Sequence, residues 1–165
     1  MSLIAAELPA VNASPLIFLA RSNLLHLLQL AGSMIVVPKP VADEILRRGP
    51  DDPTAKALAV TDWLKTVEPP AIPEVIQGWG LGPGESSVLA WGLAHPGTEC
   101  ILDDLAARRC ARTLAIPVRG TLGLVIEGKK NGSFPAARPV LERMRRNGMF
   151  LSDRVLNRAL AMIGE

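Results

Sequence analysis

Short apolar runs alternate with longer stretches of helical periodicity along this chain, and that alternation restricts the fold more than any other feature. Met34-Ile-Val-Val37 is apolar without interruption, and so is Cys100-Ile-Leu102. A strand covered on one face alternates apolar with polar residues, so an unbroken run signals cover on both faces. Strands joined through helices form a parallel sheet flanked by helices. The expected fold class is α/β, a three-layer α/β/α sandwich with a mostly parallel sheet.

A first strand is expected near Pro9 to Asn12. Ser14 reads as the N-cap of the next helix, with Pro15 at its first position. That helix is expected to run from Leu16 to Leu30, apolar on most faces and ended by Gly32. Further strands are expected at 34–37, 66–68, 99–102 and 116–119. Further helices are expected at 40–48, 54–64, 84–94, 104–114, 121–130, 136–146 and 153–163, the last capped by Ser152. Pro69-Pro70 and the glycine-rich segment Gly78 to Gly84 bracket a loop.

The chain has 165 residues, 48% of them hydrophobic and none of them tyrosine. That suits a single domain over 1–165 with one aliphatic core and a basic helical part at about 135–165. Cys100 and Cys110 make no zinc or redox spacing and are expected reduced, in a cytoplasmic protein. The start, Met1 to Glu7, lacks a basic segment and is not expected to act as a secretory signal. The apolar run Leu24 to Leu30 contains His26 and Gln29 and is far too short for a membrane span, so no membrane is expected. Charge is uneven. Residues 1–100 hold six Lys/Arg and ten Asp/Glu, net −4, whereas residues 101–165 hold twelve and six, net +6. A basic second half suits an anionic partner, RNA, DNA or an acidic protein; a solvated helical surface explains it equally well.

Acidic residues recur at strand ends and in first helical turns. Glu44 shares a helix face with Val41 and Ile45, which draws it toward the sheet; the competing reading is a surface pair with Arg48. Glu85 opens the stripe Val88, Leu89 and Gly92, which should be buried. A buried carboxylate needs a partner, a hydrogen bond or a metal, although compensation of the helix dipole explains one in a first turn. Asp103 and Asp104 follow an apolar strand, and open parallel sheets place their sites outside such carboxyl ends. One Asp can cap the next helix, and the second asks for another role. Spacing leaves open which of the two would reach a metal. Asn12 ends the first strand, and Ser14 either joins the same site or caps.

Other signals are weaker. Gly80-Leu-Gly82-Pro-Gly84 lacks the dinucleotide spacing and a later ribose-binding acid. His26 and His95 are isolated. Trp63, Trp79 and Trp91 read as packing residues ahead of base-stacking ones. Arg143-Met-Arg145-Arg146 either follows phosphates or faces water.

Five segments, in order, carry a family likeness: Asn12-Ala-Ser-Pro-Leu-Ile17, Pro38-Lys-Pro-Val-Ala-Asp-Glu-Ile45, Gly82-Pro-Gly-Glu85, Leu102-Asp-Asp-Leu-Ala-Ala-Arg108 and Gly120-Thr-Leu-Gly123. Together they resemble PIN-domain proteins, in a prokaryotic branch related to VapC-type toxin ribonucleases. The resemblance implies a metal-dependent ribonuclease holding Mg²⁺ or Mn²⁺. It puts the catalytic positions on Asn12, Glu44, Glu85, Asp103 and Asp104, with the four acids as metal ligands and Ser14 in support. Arg108, Arg112 and Arg119 would take flanking phosphates of an RNA substrate. It further implies an antitoxin protein as partner and a homodimer. Asn12 departs from the pattern, because the family carries aspartate there. A neutral amide removes one charge from the site. The alternative is therefore a catalytically impaired module that binds RNA or a protein partner.

Overall fold

Five short strands pair side by side, all parallel, in the order β3-β2-β1-β4-β5. In this computed structural model the described residues are 8–165, so the opening segment read for a secretory signal lies outside them. The strands are β1 (Ala10–Val11), β2 (Ile35–Pro38), β3 (Leu64–Val67), β4 (Cys100–Ile101) and β5 (Val118–Arg119). Ala10 pairs with Val36 on one side and Cys100 on the other, so β1 is central. All four residues of β1 and β4 are fully buried, as unbroken apolar runs require. Pro9 stands just ahead of β1, where its missing N–H disrupts no ladder; its carbonyl accepts from the Val36 N–H at 2.8 Å.

The helices are α1 (Ala13–Arg21), α2 (Lys39–Leu46), α3 (Pro53–Val60), α4 (Glu74–Gln77), α5 (Pro83–Ala94), α6 (Leu105–Thr113), α7 (Thr121–Lys130), α8 (Ala137–Arg146) and α9 (Asp153–Ala161). The α/β sandwich is thus the observed fold. Among the described residues no helix is long and apolar enough to cross a membrane. From β1 the chain builds outward to β2 and β3, then returns to β4 on the other flank and ends at β5. The strand order reverses between β1 and β4, and a crevice opens beyond their carboxyl ends, the ligand position of open α/β sheets. Asn12 directly follows β1, and Asp103 comes two residues after β4.

Three expectations are corrected. The helix expected from Leu16 to Leu30 breaks after Arg21 and resumes as a 3₁₀ turn over Leu25–Leu30. Asn23 adopts φ 57° at the break, a left-handed conformation that asparagine tolerates better than most residues. Apolar periodicity continues through the break, because Leu19, Leu27 and Leu28 all enter the core. The N-cap of α1 is Asn12, and Ser14 lies inside the first turn. The loop between Pro69 and Gly84 contains the short α4, anchored by the buried Ile76. Ser152 caps α9 as expected, accepting from the Val155 N–H at 3.2 Å. Trp91 packs as expected: its indole N–H donates to the Leu8 carbonyl at 2.9 Å, and its ring stacks on His95.

Gly92 sets how closely α5 meets the sheet. A Cβ there would lie 2.6 Å from Cys100 Sγ and 2.8 Å from Ile116 Cγ2. Gly92→Ala is expected to cost about 2 kcal/mol by overpacking, read from chemical denaturation. Wild-type stability in that variant would show that α5 can lift off the sheet at no cost. Cys100 itself is inert, because burial pushes its thiol up to about 12.

Asp52 anchors α3, accepting from the Thr54 and Ala55 amides at 2.9 and 3.3 Å and from Arg48 Nε at 2.9 Å. Burial alone would raise its carboxyl, but Arg48 and the two amides outweigh that and hold it below the ordinary carboxylate value. The folded state therefore binds this proton less readily than the unfolded chain. The stabilisation is present above the ordinary value and is lost as pH falls through the depressed one. Asp52→Ala is expected to cost about 1 kcal/mol at neutral pH. That gap should close in acid unfolding curves, and a gap independent of pH would refute the linkage.

Candidate functional site

The crevice beyond β1 and β4 is a cavity of about 850 Å³. Asn12, Ser14, Glu85, Asp103, Asp104, Arg108 and Arg112 all line it. Seven of the nine positions singled out from sequence thus meet in one place. The other two, Glu44 and Arg119, are not among its lining residues.

Asn12 forms the floor. It is 3% exposed, and its Oδ1 has no hydrogen-bond partner. Such an atom is costly, since a buried acceptor normally finds a donor. Its surroundings are set by Gly84 in the first turn of α5. A Cβ on Gly84 would lie 2.9 Å from Asn12 Oδ1, 3.3 Å from Glu44 Oε2 and 3.5 Å from Val41 Cγ2. The bare glycine lets α5 press against both oxygens, so Glu44 borders Asn12 without lining the main cavity. Glu44 itself is exposed, not drawn under the sheet as its neighbours Val41 and Ile45 are. The surface pair with Arg48 does not form either, because Arg48 bonds to Asp52 instead.

Glu85 is half-buried in the first turn of α5, with Oε2 folded back toward Gly82. Asp103 and Asp104 divide their work. Asp104 is the N-cap of α6, its Oδ2 accepting from the Ala107 N–H at 2.9 Å. Asp103 reaches sideways to α7, whose own N-cap, Gly120, has no side chain to offer. Asp103 Oδ1 accepts from the Thr121 N–H at 2.8 Å, and Oδ2 accepts from the Thr121 hydroxyl at 2.7 Å. Ser14 Oγ adds a longer bond to Oδ2 at 3.4 Å. Ser14 is therefore a second partner of Asp103, which settles its role against capping.

Thr121, fully buried, belongs to the segment Gly120-Thr-Leu-Gly123 but is not among the site positions expected from sequence. The available signal was a glycine followed by a hydroxyl residue at a helix start: the helix needs a cap that its own chain cannot supply. Arg119 serves the framework. Its Nη2 donates to Glu99 Oε1 at 2.8 Å, and its Nη1 pairs with Glu127 of α7. One acid stands just ahead of β4 and the other in α7, so the guanidinium ties β5 to its surroundings.

The donor chemistry suits a hard divalent cation, for the polar floor and acidic wall offer oxygen atoms. The unpartnered Asn12 Oδ1 is one such donor with its bond unmade. What the crevice lacks is a close group of acids. Among the described residues no three of His, Cys, Asp and Glu stand close enough together to hold an ion. Asp103 is already engaged by Thr121, and the oxygen nearest the floor belongs to a neutral amide. The residues present offer oxygen donors at Asn12 and Glu44 but do not form a carboxylate-rich centre.

A family model described as a PIN domain matches residues 9–165. No curated protein and no solved structure matches the chain.

Proposed function

The chain belongs to the PIN-domain family, and on that premise we propose that its crevice is a metal-assisted RNA-cleaving site of reduced power. PIN domains are generally dependent on divalent metals, and PIN nucleases act on RNA or DNA. The observation that carries the reading is the buried, unpartnered Asn12 Oδ1 at the strand-order reversal, packed under Gly84 near Glu44, in a residue that lines a cavity with three further acids. Asn12 and Glu44 would be the donors to the ion, while Glu85 and Asp104 line the cavity beside them. A bound Mg²⁺ or Mn²⁺ supplies Lewis acidity and lowers the pKa of a water. Arg108 and Arg112, in the same cavity, bind the phosphates flanking the scissile bond as charge-assisted donors. Asp103 holds α7 against the end of β4 and so keeps one wall of the crevice fixed. The basic second half of the chain suits an anionic occupant such as RNA.

Asn12 and the lack of a three-acid group support a second reading, a non-cleaving module that binds RNA or a protein partner. Calorimetric titration with Mn²⁺, alongside incubation of labelled RNA, separates the two. Cleavage by the wild type, raised by Asn12→Asp, supports the nuclease reading. Absence of cleavage from both proteins, with RNA still bound, supports the module.

A further inference from the structure

The polar floor and acidic wall occupy only part of the cavity. Its outer side is apolar and ends in Phe150, which is 93% exposed. A fully exposed aromatic ring on a soluble domain calls for an explanation, and a loosely held loop does not supply one here. The loop between α8 and α9 is pinned on both sides of Phe150. Asn147 Nδ2 donates to the Arg21 carbonyl at 3.4 Å and to Ser22 Oγ at 3.3 Å, and Arg21 Nη1 donates back to the Asn147 carbonyl at 3.3 Å. The Met149 N–H bonds to the Met144 carbonyl at 3.1 Å, and Met149 is buried. Arg145 Nη1 bonds to the Leu151 carbonyl at 3.3 Å and to Asp153 Oδ1 at 2.6 Å. Gly148, with φ 102°, makes the turn that presents the ring. The backbone is thus fixed while the side chain stays in solvent at the rim of a cavity that also holds Arg108 and Arg112.

Cations that take phosphates, beside an aromatic face that takes a base, are the two halves of a single-strand binding surface. We propose that Phe150 is a stacking platform for a nucleobase of single-stranded RNA entering the crevice, and so selects unpaired over duplex RNA. A base in a duplex keeps both faces stacked on its neighbours and has none to offer the ring. The proposal rests on the reading of the crevice as an RNA site. It adds a positioning residue outside the acidic group.

The test is fluorescence anisotropy of labelled oligoribonucleotides with the full chain in EDTA, which holds the RNA intact. Wild type should bind a single-stranded octamer more tightly than a blunt duplex of equal length. Phe150→Ala should weaken single-strand binding roughly five- to hundredfold, the range for one lost base stack, and leave duplex binding unchanged. Phe150→Trp should retain affinity, whereas Phe150→Leu should behave like Phe150→Ala, since a base needs an aromatic face. Thermal melting should be the same for all four proteins, because the ring touches nothing that melting would report. Equal binding by Phe150→Leu and wild type overturns stacking, since an aliphatic side chain then serves as well as a ring. Single-strand binding untouched by Phe150→Ala but lost in Arg108→Ala overturns the platform while the RNA site stands. No binding of any RNA by wild type overturns both.

Discussion

Asn12→Asp is expected to make the protein less stable in EDTA and to raise its affinity for Mn²⁺ tenfold to hundredfold, about 1.4–2.8 kcal/mol. Both effects come from the same charge. Asn12 is 3% exposed and its Oδ1 has no donor, so a carboxylate there would be desolvated and unpaired. Glu44 Oε2, which meets the same face of Gly84, would add like-charge repulsion. The cost without metal should be about 2–3 kcal/mol. Burial raises the pKa of the new carboxyl, so the folded variant binds its proton more readily than the unfolded chain does. The deficit should therefore shrink as pH falls. Mn²⁺ at a hundredfold excess over its dissociation constant should restore about 2.7 kcal/mol by mass action. Melting curves in EDTA and in Mn²⁺ read this without any activity assay. If the variant melts with the wild type in EDTA and Mn²⁺ moves neither, the floor of the crevice is not a cation position.

Asp103→Ala is expected to lower stability by about 3 kcal/mol, read from denaturant unfolding. The substitution removes the acceptor for the Thr121 N–H, the Thr121 hydroxyl and Ser14 Oγ. Thr121 is fully buried, so water cannot take over, and Gly120 offers α7 no replacement cap. Asp103→Asn should lose less than half as much. Its amide oxygen can still accept the Thr121 N–H, while the hydroxyl can turn to accept from the amide nitrogen. The pair of variants separates framework from ion binding. A framework residue is largely rescued by asparagine in stability with Mn²⁺ affinity little changed. A metal ligand loses affinity in both. Unaltered unfolding of Asp103→Ala would show that α7 holds its place without this tie.

The alternation of apolar and helical segments was enough to read the sheet, because strands buried on both faces have no polar positions to hide. The acidic residues at Glu85 and Asp103-Asp104 were legible for a similar reason: each stands where a strand or helix leaves the core, and such points face the crevice. Resolution failed where the answer depended on a second segment arriving from elsewhere. Ser14 looked like a cap because Asp103, its partner, lies far along the chain. Arg119 looked free because Glu99 and Glu127 approach it only after folding. Glu44 carried the helical spacing of a buried residue yet stayed exposed, since a face shared with Val41 and Ile45 is wide enough to place one edge in solvent. The break at Ser22-Asn23 left no mark because both halves of that segment feed the same core.

Periodicity and strand-end acids are properties of local order, and the sequence by itself determined them: the α/β class and the place of the crevice; that Asn12 stands where the family carries aspartate came from the resemblance. Which oxygens are free and which are engaged was decided only by the tertiary structure. Long-range partners made Asp103 a strut and Arg119 a brace, left Asn12 Oδ1 without a donor, and set Phe150 bare at the rim. Hydrogen bonds and exposure depend on distances across the fold, and no spacing along one chain segment encodes them.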